Sequence, residues 1–332
     1  MSSLISRRTV LASPFALLGG MASAQASLPK QVNLMVPYPA GGPSDAIARL
    51  VDKPLAKAAG QMVIVENLGG VSGALAAQKV LSAPADGGYV FQGSPNELIL
   101  APLANAAVKL RSEDFRPVQL IGVAPIAILA RKGLAAGHVD ELIALARKAA
   151  ADGKPLSYGS VGVGSFYHVL GAHFGQTVGA TLNHVPYKGV APLVQDIAGE
   201  QVDFAIVVVT PGAIALAEQG RMKVLGTLAP AGKPEVALLK AYPSINDSKT
   251  LHDFAFNIWT GYFVRKDTPE PVVQALHAAL TQVLGDAGVR GQLEQLGMMV
   301  ASPLSLAEAS RHYEAQTARF RAIAKSIRLE AQ

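Results

Sequence analysis

Val32-Asn33-Leu34-Met35-Val36-Pro37-Tyr38-Pro39-Ala40-Gly41-Gly42-Pro43-Ser44-Asp45 is the stretch that decides the fold. Residues 32–36 are apolar and short, as a buried strand is. A Pro/Gly turn follows, and a helix is expected to begin near Ser44. The same unit recurs downstream. Residues 62–65 form a second strand, followed by the Gly-rich turn Glu66-Asn67-Leu68-Gly69-Gly70-Val71-Ser72-Gly73 and a helix over 74–82. Residues 89–92 form a third, ending at Gly93-Ser94. Further strands are expected at 156–158, 184–185, 204–209 and 224–228, with helices between them. Such alternation implies βαβ units and parallel sheets covered on both faces.

Composition sets the outer limits. The chain has 332 residues, of which 50% are hydrophobic and 16% charged, which excludes a disordered protein. It has no cysteine, which removes disulfide scaffolds, zinc ribbons, Fe–S centres and thiol enzymes. The length favours two α/β lobes over one open sheet of nine or more strands. The C-terminal part changes character, with long amphipathic helices expected over 271–284 and 305–327. In the second, Leu306, Ala309, Tyr313, Phe320, Ile323 and Ile327 recur at helical spacing, and Ser305 with Glu308 forms a capping-box pattern.

Residues 1–26 read as an export signal: Arg7 and Arg8, a short apolar stretch, and the small-x-small site Ala24-Gln25-Ala26. Ser6-Arg7-Arg8-Thr9-Val10-Leu11 also fits a twin-arginine pattern. Removing this leader lowers the formal charge from +5 to +3, too little for a nucleic-acid footprint. The later apolar runs, 118–130 and 204–209, are too short or interrupted to span a membrane and read as buried parallel strands. The expected product is a free periplasmic globule with no lipid anchor.

In open α/β sheets ligands bind beyond the carboxyl ends of strands. The loops there share one chemistry: 37–45, 66–73, Gln92-Gly93-Ser94-Pro95-Asn96 and Tyr158-Gly159-Ser160-Val161-Gly162-Val163-Gly164-Ser165. Glycine admits a ligand close to the backbone, and seryl hydroxyls with helix N–H groups present donors to an anion. Turn and capping chemistry alone would also select Gly and Ser in any one such loop. Four of them over two lobes point to an anion-binding cleft. Catalytic patterns are missing: no serine sits in G-x-S-x-G, Tyr167 replaces the third glycine of a dinucleotide fingerprint, and no Walker lysine is present. His168 and His173, five apart, diverge on a helix and cannot chelate one metal. No cofactor, metal or catalytic residue is expected. An exported α/β hydrolase remains as the remote alternative.

These residues resemble the substrate-binding receptors of tripartite tricarboxylate transporters, also called Bug receptors. The match begins with residues 36–45. It continues through Val65-Glu66-Asn67, Ala85-Asp86-Gly87-Gly88-Tyr89, His184-Val185-Pro186-Tyr187-Lys188-Gly189, Ala191-Pro192 and Val202-Asp203. Trp259-Thr260-Gly261 and Thr268-Pro269 complete it. The resemblance implies a two-lobed periplasmic binding protein fold of type II, each lobe a mostly parallel sheet flanked by helices. Lobe 1 would hold 27–126 and 255–332, and lobe 2 would hold 127–254, hinged by two crossing segments. It further implies a ligand site formed by Tyr38, Ala40, Gly41, Gly42, Ser44 and Ser94, faced by Ser160, Gly164, Ser165 and Thr210. The function implied is capture of a small carboxylate by hinge closure and its delivery to membrane transporter subunits, by a monomer. Docking on a sensor kinase is the alternative partner. Val161 stands where the family often has a second serine, and Val207-Val208-Val209-Thr210-Pro211 lacks an acid often found there. An ammonium would have no partner, so a ligand without an amino group is expected. Lys188 is expected to point to solvent and Tyr38 to wall the cleft.

Overall fold

A computed structural model describes residues 28–232, 236–326 and 329. The expected export signal and Ile327 lie outside the described residues.

The chain opens with β1 (Gln31–Val36), α1 (Pro43–Ala59), β2 (Met62–Asn67), α2 (Ala74–Ser82) and β3 (Tyr89–Gly93). A π-helical turn over Asn96–Leu100 runs into α3 (Ala101–Ala104), and then comes β4 (Phe115–Arg131). The middle contains α4 (Val139–Ala151), β5 (Ser157–Ser160), α5 (Phe166–Val178), β6 (Asn183–Pro186) and α6 (Val190–Ala198). β7 (Phe204–Val208), α7 (Pro211–Glu218) and β8 (Met222–Thr227) complete it. The end is β9 (Asn257–Arg265), α8 (Glu270–Gly285), α9 (Ala287–Gln295), β10 (Met299–Val300) and α10 (Leu306–Ser326).

The expected βαβ units are present. β1 is parallel to β2 on one side and β3 on the other, and Leu34, Met35 and Val36 are wholly buried between the helices on both faces. β5 is likewise parallel to β6 and β7. Helix α1 starts at Pro43, whose fixed φ suits a first helical position. It lays Ile47, Val51 and Leu55 on the sheet at four-residue spacing and stops at Gly60, which takes the left-handed conformation with φ 63°.

β4 takes a role that its apolar run does not announce. Its first part, Phe115–Pro125, pairs antiparallel with β9; its last part, Ile126–Arg131, pairs antiparallel with β7 and β8. The strand order is β2-β1-β3-β9-β4-β7-β5-β6, with β10 and β8 also on β4. One curled sheet of two halves results, joined by β4. The expectation that 118–130 is a parallel strand is thereby corrected. Apolar content reports burial on both faces and carries no information on direction, and this strand links the halves. Pro117 cannot donate to the ladder, and the register with β9 shifts beside it. The second connection returns near Phe256, whose N–H bonds Leu228 O at 2.9 Å.

Helix α10 packs along β4 with Ala309, Tyr313 and Phe320 buried. Its capping box is formed: Ser305 N–H and O–H both reach Glu308 Oε2, at 2.8 and 2.6 Å, and Glu308 N–H returns to Ser305 Oγ at 3.3 Å. Among the described residues no helix is long and apolar enough to cross a membrane.

Candidate ligand-binding site

The carboxyl ends of β1, β3 and β7 and the N-terminus of α6 border a cavity of about 50 Å³ between the halves of the sheet. The first half contributes Tyr38, Gly42, Ser44, Ser94 and Asn96; the second contributes Val161, Tyr167, Val208 and residues 189–192. Thr260 of β9 completes the polar lining, and Ile47, Ala124 and Ile258 add apolar wall. Among the described residues no charged side chain lines the cavity. The first turns of α1 and α6 open onto it, with backbone N–H groups that lack intrahelical acceptors. Such a site holds an anion through dipoles and neutral donors.

The first loop is fixed from behind. Gly41 N–H bonds Asp45 Oδ2 at 2.9 Å, and Arg49 Nε bonds the same oxygen at 3.0 Å. Burial opposes the charge on Asp45, but Arg49, Gly41 and Asn67 together hold its carboxyl below the usual range. Asn67 Nδ2 donates to Tyr38 O at 3.0 Å, so the second Gly-rich loop buttresses the first instead of lining the cavity. Gln92 Nε2 donates to Ser44 O at 2.8 Å, tying the start of α1 to β3.

Among the described residues, two side-chain hydrogen bonds join the halves at the rim. Phe166 N–H bonds Asn96 Oδ1 at 2.7 Å, and Ser72 Oγ bonds Val163 O at 2.7 Å. Asn96 also donates through Nδ2 to the Tyr38 hydroxyl at 3.0 Å, so one side chain spans the seam and orients the ring. Burial and the nearby Glu97 carboxyl push the Tyr38 phenol well above its usual pKa. Glu97 is itself wholly buried behind Ser94, and burial drives its carboxyl up to about 7 against the pull of Tyr38 and Ser94.

Of the residues singled out from sequence, Tyr38, Gly42, Ser44 and Ser94 line the cavity. Ala40 and Gly41 shape the turn beside it. Ser160, Gly164, Ser165 and Thr210 lie in the facing wall but not on the lining. Ser165 Oγ caps α5, accepting His168 N–H at 3.2 Å, and Thr210 Oγ1 caps α7, accepting Ala213 N–H at 3.2 Å. Ser160 Oγ bonds His184 Nε2 at 2.7 Å and Gly162 O at 3.0 Å. Gly164 has φ 75° and presses on Ala104 of α3, where an added Cβ would stand 2.0 Å from the Ala104 Cβ.

His168 finds a partner that helical arithmetic could not supply. Its ring stacks on His184 of β6 with centroids 4.1 Å apart, and its Nδ1 accepts Gly164 N–H at 3.0 Å. Burial lowers both imidazoles, and the neighbouring ring helps bring His184 to about 4. The pair is a neutral shelf beneath the 160–165 loop. Lys188 is exposed, as expected.

Sequence reading left out Asn96, Tyr167 and Thr260, although Asn96 and Thr260 stand inside the quoted stretches 92–96 and 259–261. The missing signal is which side of a turn, helix or strand each residue faces.

Comparison with known proteins places the chain among receptors. Residues 47–329 match the family model described as "Tripartite tricarboxylate transporter family receptor". An Agrobacterium vitis relative, the "UPF0065 protein in the TAR-I ttuE-ttuC' intergenic region", is 32% identical over 87% of this chain and 83% of its own. The solved periplasmic binding protein BugD superposes with a TM-score of 0.82 at 27% identity, covering 92% of this chain and 100% of that one. R. palustris Rpa4515, solved with adipate, gives a TM-score of 0.81 at 28% identity, covering 91% and 98%.

Proposed function

We propose a function that starts from the family to which the chain belongs, the tripartite tricarboxylate transporter receptors, whose members are solute-binding proteins and not enzymes. From that premise we propose that it captures a small organic carboxylate in the periplasm and delivers it to a membrane transporter of the tripartite tricarboxylate type. The observation that carries this reading is the cavity between the half-sheets, lined by hydroxyl, amide and helix N-terminal donors and, among the described residues, by no charged side chain. We assign 27–126 with 255–332 to one lobe and 127–254 to the other, with export by the twin-arginine route. Tyr38, Ala40, Gly41, Gly42, Ser44 and Ser94 then form the binding wall, and the loops of Ser160, Gly164, Ser165 and Thr210 form the closing wall.

Solute capture needs water excluded, because neutral donors act strongly on a carboxylate only at low dielectric. The two bonds across the seam, from Asn96 and Ser72, serve that closure. The ligand class follows from the lining. A carboxylate finds donors; an ammonium group finds no acidic partner on the wall and would be buried unpaired. Plain organic acids such as adipate or an aromatic acid are therefore the expected ligands.

Calorimetric titration with adipate, benzoate, aspartate and glutamate tests this directly. The plain acids are expected to bind, and tighter binding of either amino acid would overturn the assignment. Membrane proteins retained by the loaded receptor would separate a transporter partner from a sensor kinase.

A further inference from the structure

Glu97 lies wholly buried behind the wall that carries the donors. Its Oε2 receives both donors of Ser94, the N–H at 2.7 Å and the hydroxyl at 2.8 Å. Its Oε1 closes no hydrogen bond. The titratable groups that face it are phenols: Tyr38 from the β1–α1 loop, whose hydroxyl is close enough to favour the charged carboxylate, and Tyr167 from α5. Among the described residues no Lys, Arg or His forms an ion pair or hydrogen bond with it. Gly73 packs directly against it, since a Cβ there would stand 2.4 Å from the Glu97 Cγ.

This arrangement conflicts with anion capture while Glu97 is ionised. Ser94 lines the cavity, yet the carboxylate behind it holds the hydroxyl proton and leaves only lone pairs for a ligand. A second carboxylate would also sit close to the first in a dry pocket, which disfavours two charges. A proton on Glu97 Oε2 removes both obstacles. Glu97 then donates to Ser94 Oγ, which already accepts Asn96 N–H at 3.2 Å, and the hydroxyl's own proton turns toward the cavity. Ser94 Oγ then makes one donation and two acceptances, the full capacity of a hydroxyl.

We propose that Glu97 and Ser94 form a proton-switched donor, so that the receptor takes up its carboxylate together with one proton held on Glu97. The inference rests on the carboxylate-receptor reading above. The proton comes from solvent on binding and returns to it on release. Burial already lifts Glu97 to about 7 without a ligand's charge, and a bound carboxylate raises it further.

The test is titration of the whole protein with adipate and with benzoate in two buffers of different ionisation enthalpy, from about pH 6 to about pH 9. Wild type is expected to take up close to one proton at about pH 8 and to lose affinity about tenfold per pH unit above about 7. Glu97→Gln, whose amide donates to Ser94 as the protonated acid would, is expected to bind without that slope. Ser94→Ala is expected to bind weakly with a shallower slope. Proton uptake near zero in wild type, or the same slope in Glu97→Gln, overturns the proposal. If neither acid binds, the receptor reading fails for these probes, and infrared difference spectra of wild type against Glu97→Gln decide the switch alone. A carboxylic-acid carbonyl band at about pH 6 that is lost at high pH supports it, and a carboxylate at both overturns it. Should Glu97→Gln not fold, the wild-type proton count and the Ser94→Ala slope carry the test.

Discussion

The two walls of the cleft use hydroxyl side chains for opposite purposes. On the first wall, Ser44 and Ser94 line the cavity and the first turn of α1 opens onto it. On the second, the hydroxyls of Ser160, Ser165 and Thr210 are engaged within the wall itself, in a turn and two helix caps. What the second wall presents to the cavity is mainly apolar, with Val161, Val190 and Val208. The difference separates recognition from closure. On the reading proposed above, the first wall carries the hydroxyl donors for an anion, and the second adds the N-terminus of α6, excludes water and bonds across the rim.

The comparison breaks most severely at Gly164. Its φ of 75° and the 2.0 Å separation between an added Cβ and Ala104 leave no room for a side chain at the seam. Gly164→Val is expected to abolish ligand binding in calorimetry by holding the walls apart, while circular dichroism retains the α/β spectrum. Retained binding would show that the seam does not need this contact. Asn96→Ala comes next. It removes the bond to Phe166 N–H and the support of Tyr38, leaving a buried N–H unpaired, at a cost of about 1–3 kcal/mol. A tenfold to hundredfold weaker affinity follows, read in the same titration, and an affinity within twofold of wild type would remove Asn96 from the latch.

The histidine shelf gives a pH dependence whose sign is fixed. His184 falls from 6.5 to about 4 in the folded protein, through burial and the adjacent His168, so the unfolded chain binds the proton more readily. Stability is therefore full above the unfolded value and declines as pH drops from 6.5 toward about 4. Melting temperatures measured across that window should fall more for wild type than for His184→Gln. Parallel curves would mean that the stacked pair carries no proton linkage.

Much of this architecture is legible in the sequence where one element decides its own structure. The helix expected over 74–82 coincides with α2, and the strands at 32–36, 62–65 and 89–92 lie within β1, β2 and β3. Short apolar runs between Gly/Pro turns dictate those locally. β4 and β9 are less legible because their direction depends on partners far along the chain. In Asn257-Ile258-Trp259-Thr260-Gly261-Tyr262-Phe263-Val264-Arg265 there is also no clean alternation to betray a strand. The site divides in the same way. Gly/Ser loops mark the cleft, but a serine that caps a helix and one that faces a ligand read alike. His168 and His184 meet only because α5 folds over β5 and its neighbour β6, a tertiary fact.

The smallest effect sharpens the comparison most, because it sets two similar-looking serines against each other. Ser165 precedes α5 as Ser44 opens α1, and both follow a glycine-rich turn. Ser165 is fully buried and accepts His168 N–H, which is cap chemistry; replacing such a cap by alanine costs about 1 kcal/mol of stability. Ser165→Ala should lower the melting temperature by a few degrees and leave affinity within about twofold, since the backbone N–H of Phe166 still reaches Asn96. Ser44→Ala should do the reverse, weakening binding with little change in melting, because Ser44 lines the cavity and makes no cap. If both variants lose affinity equally, the closing wall recognises ligand as well, and the division between the walls fails.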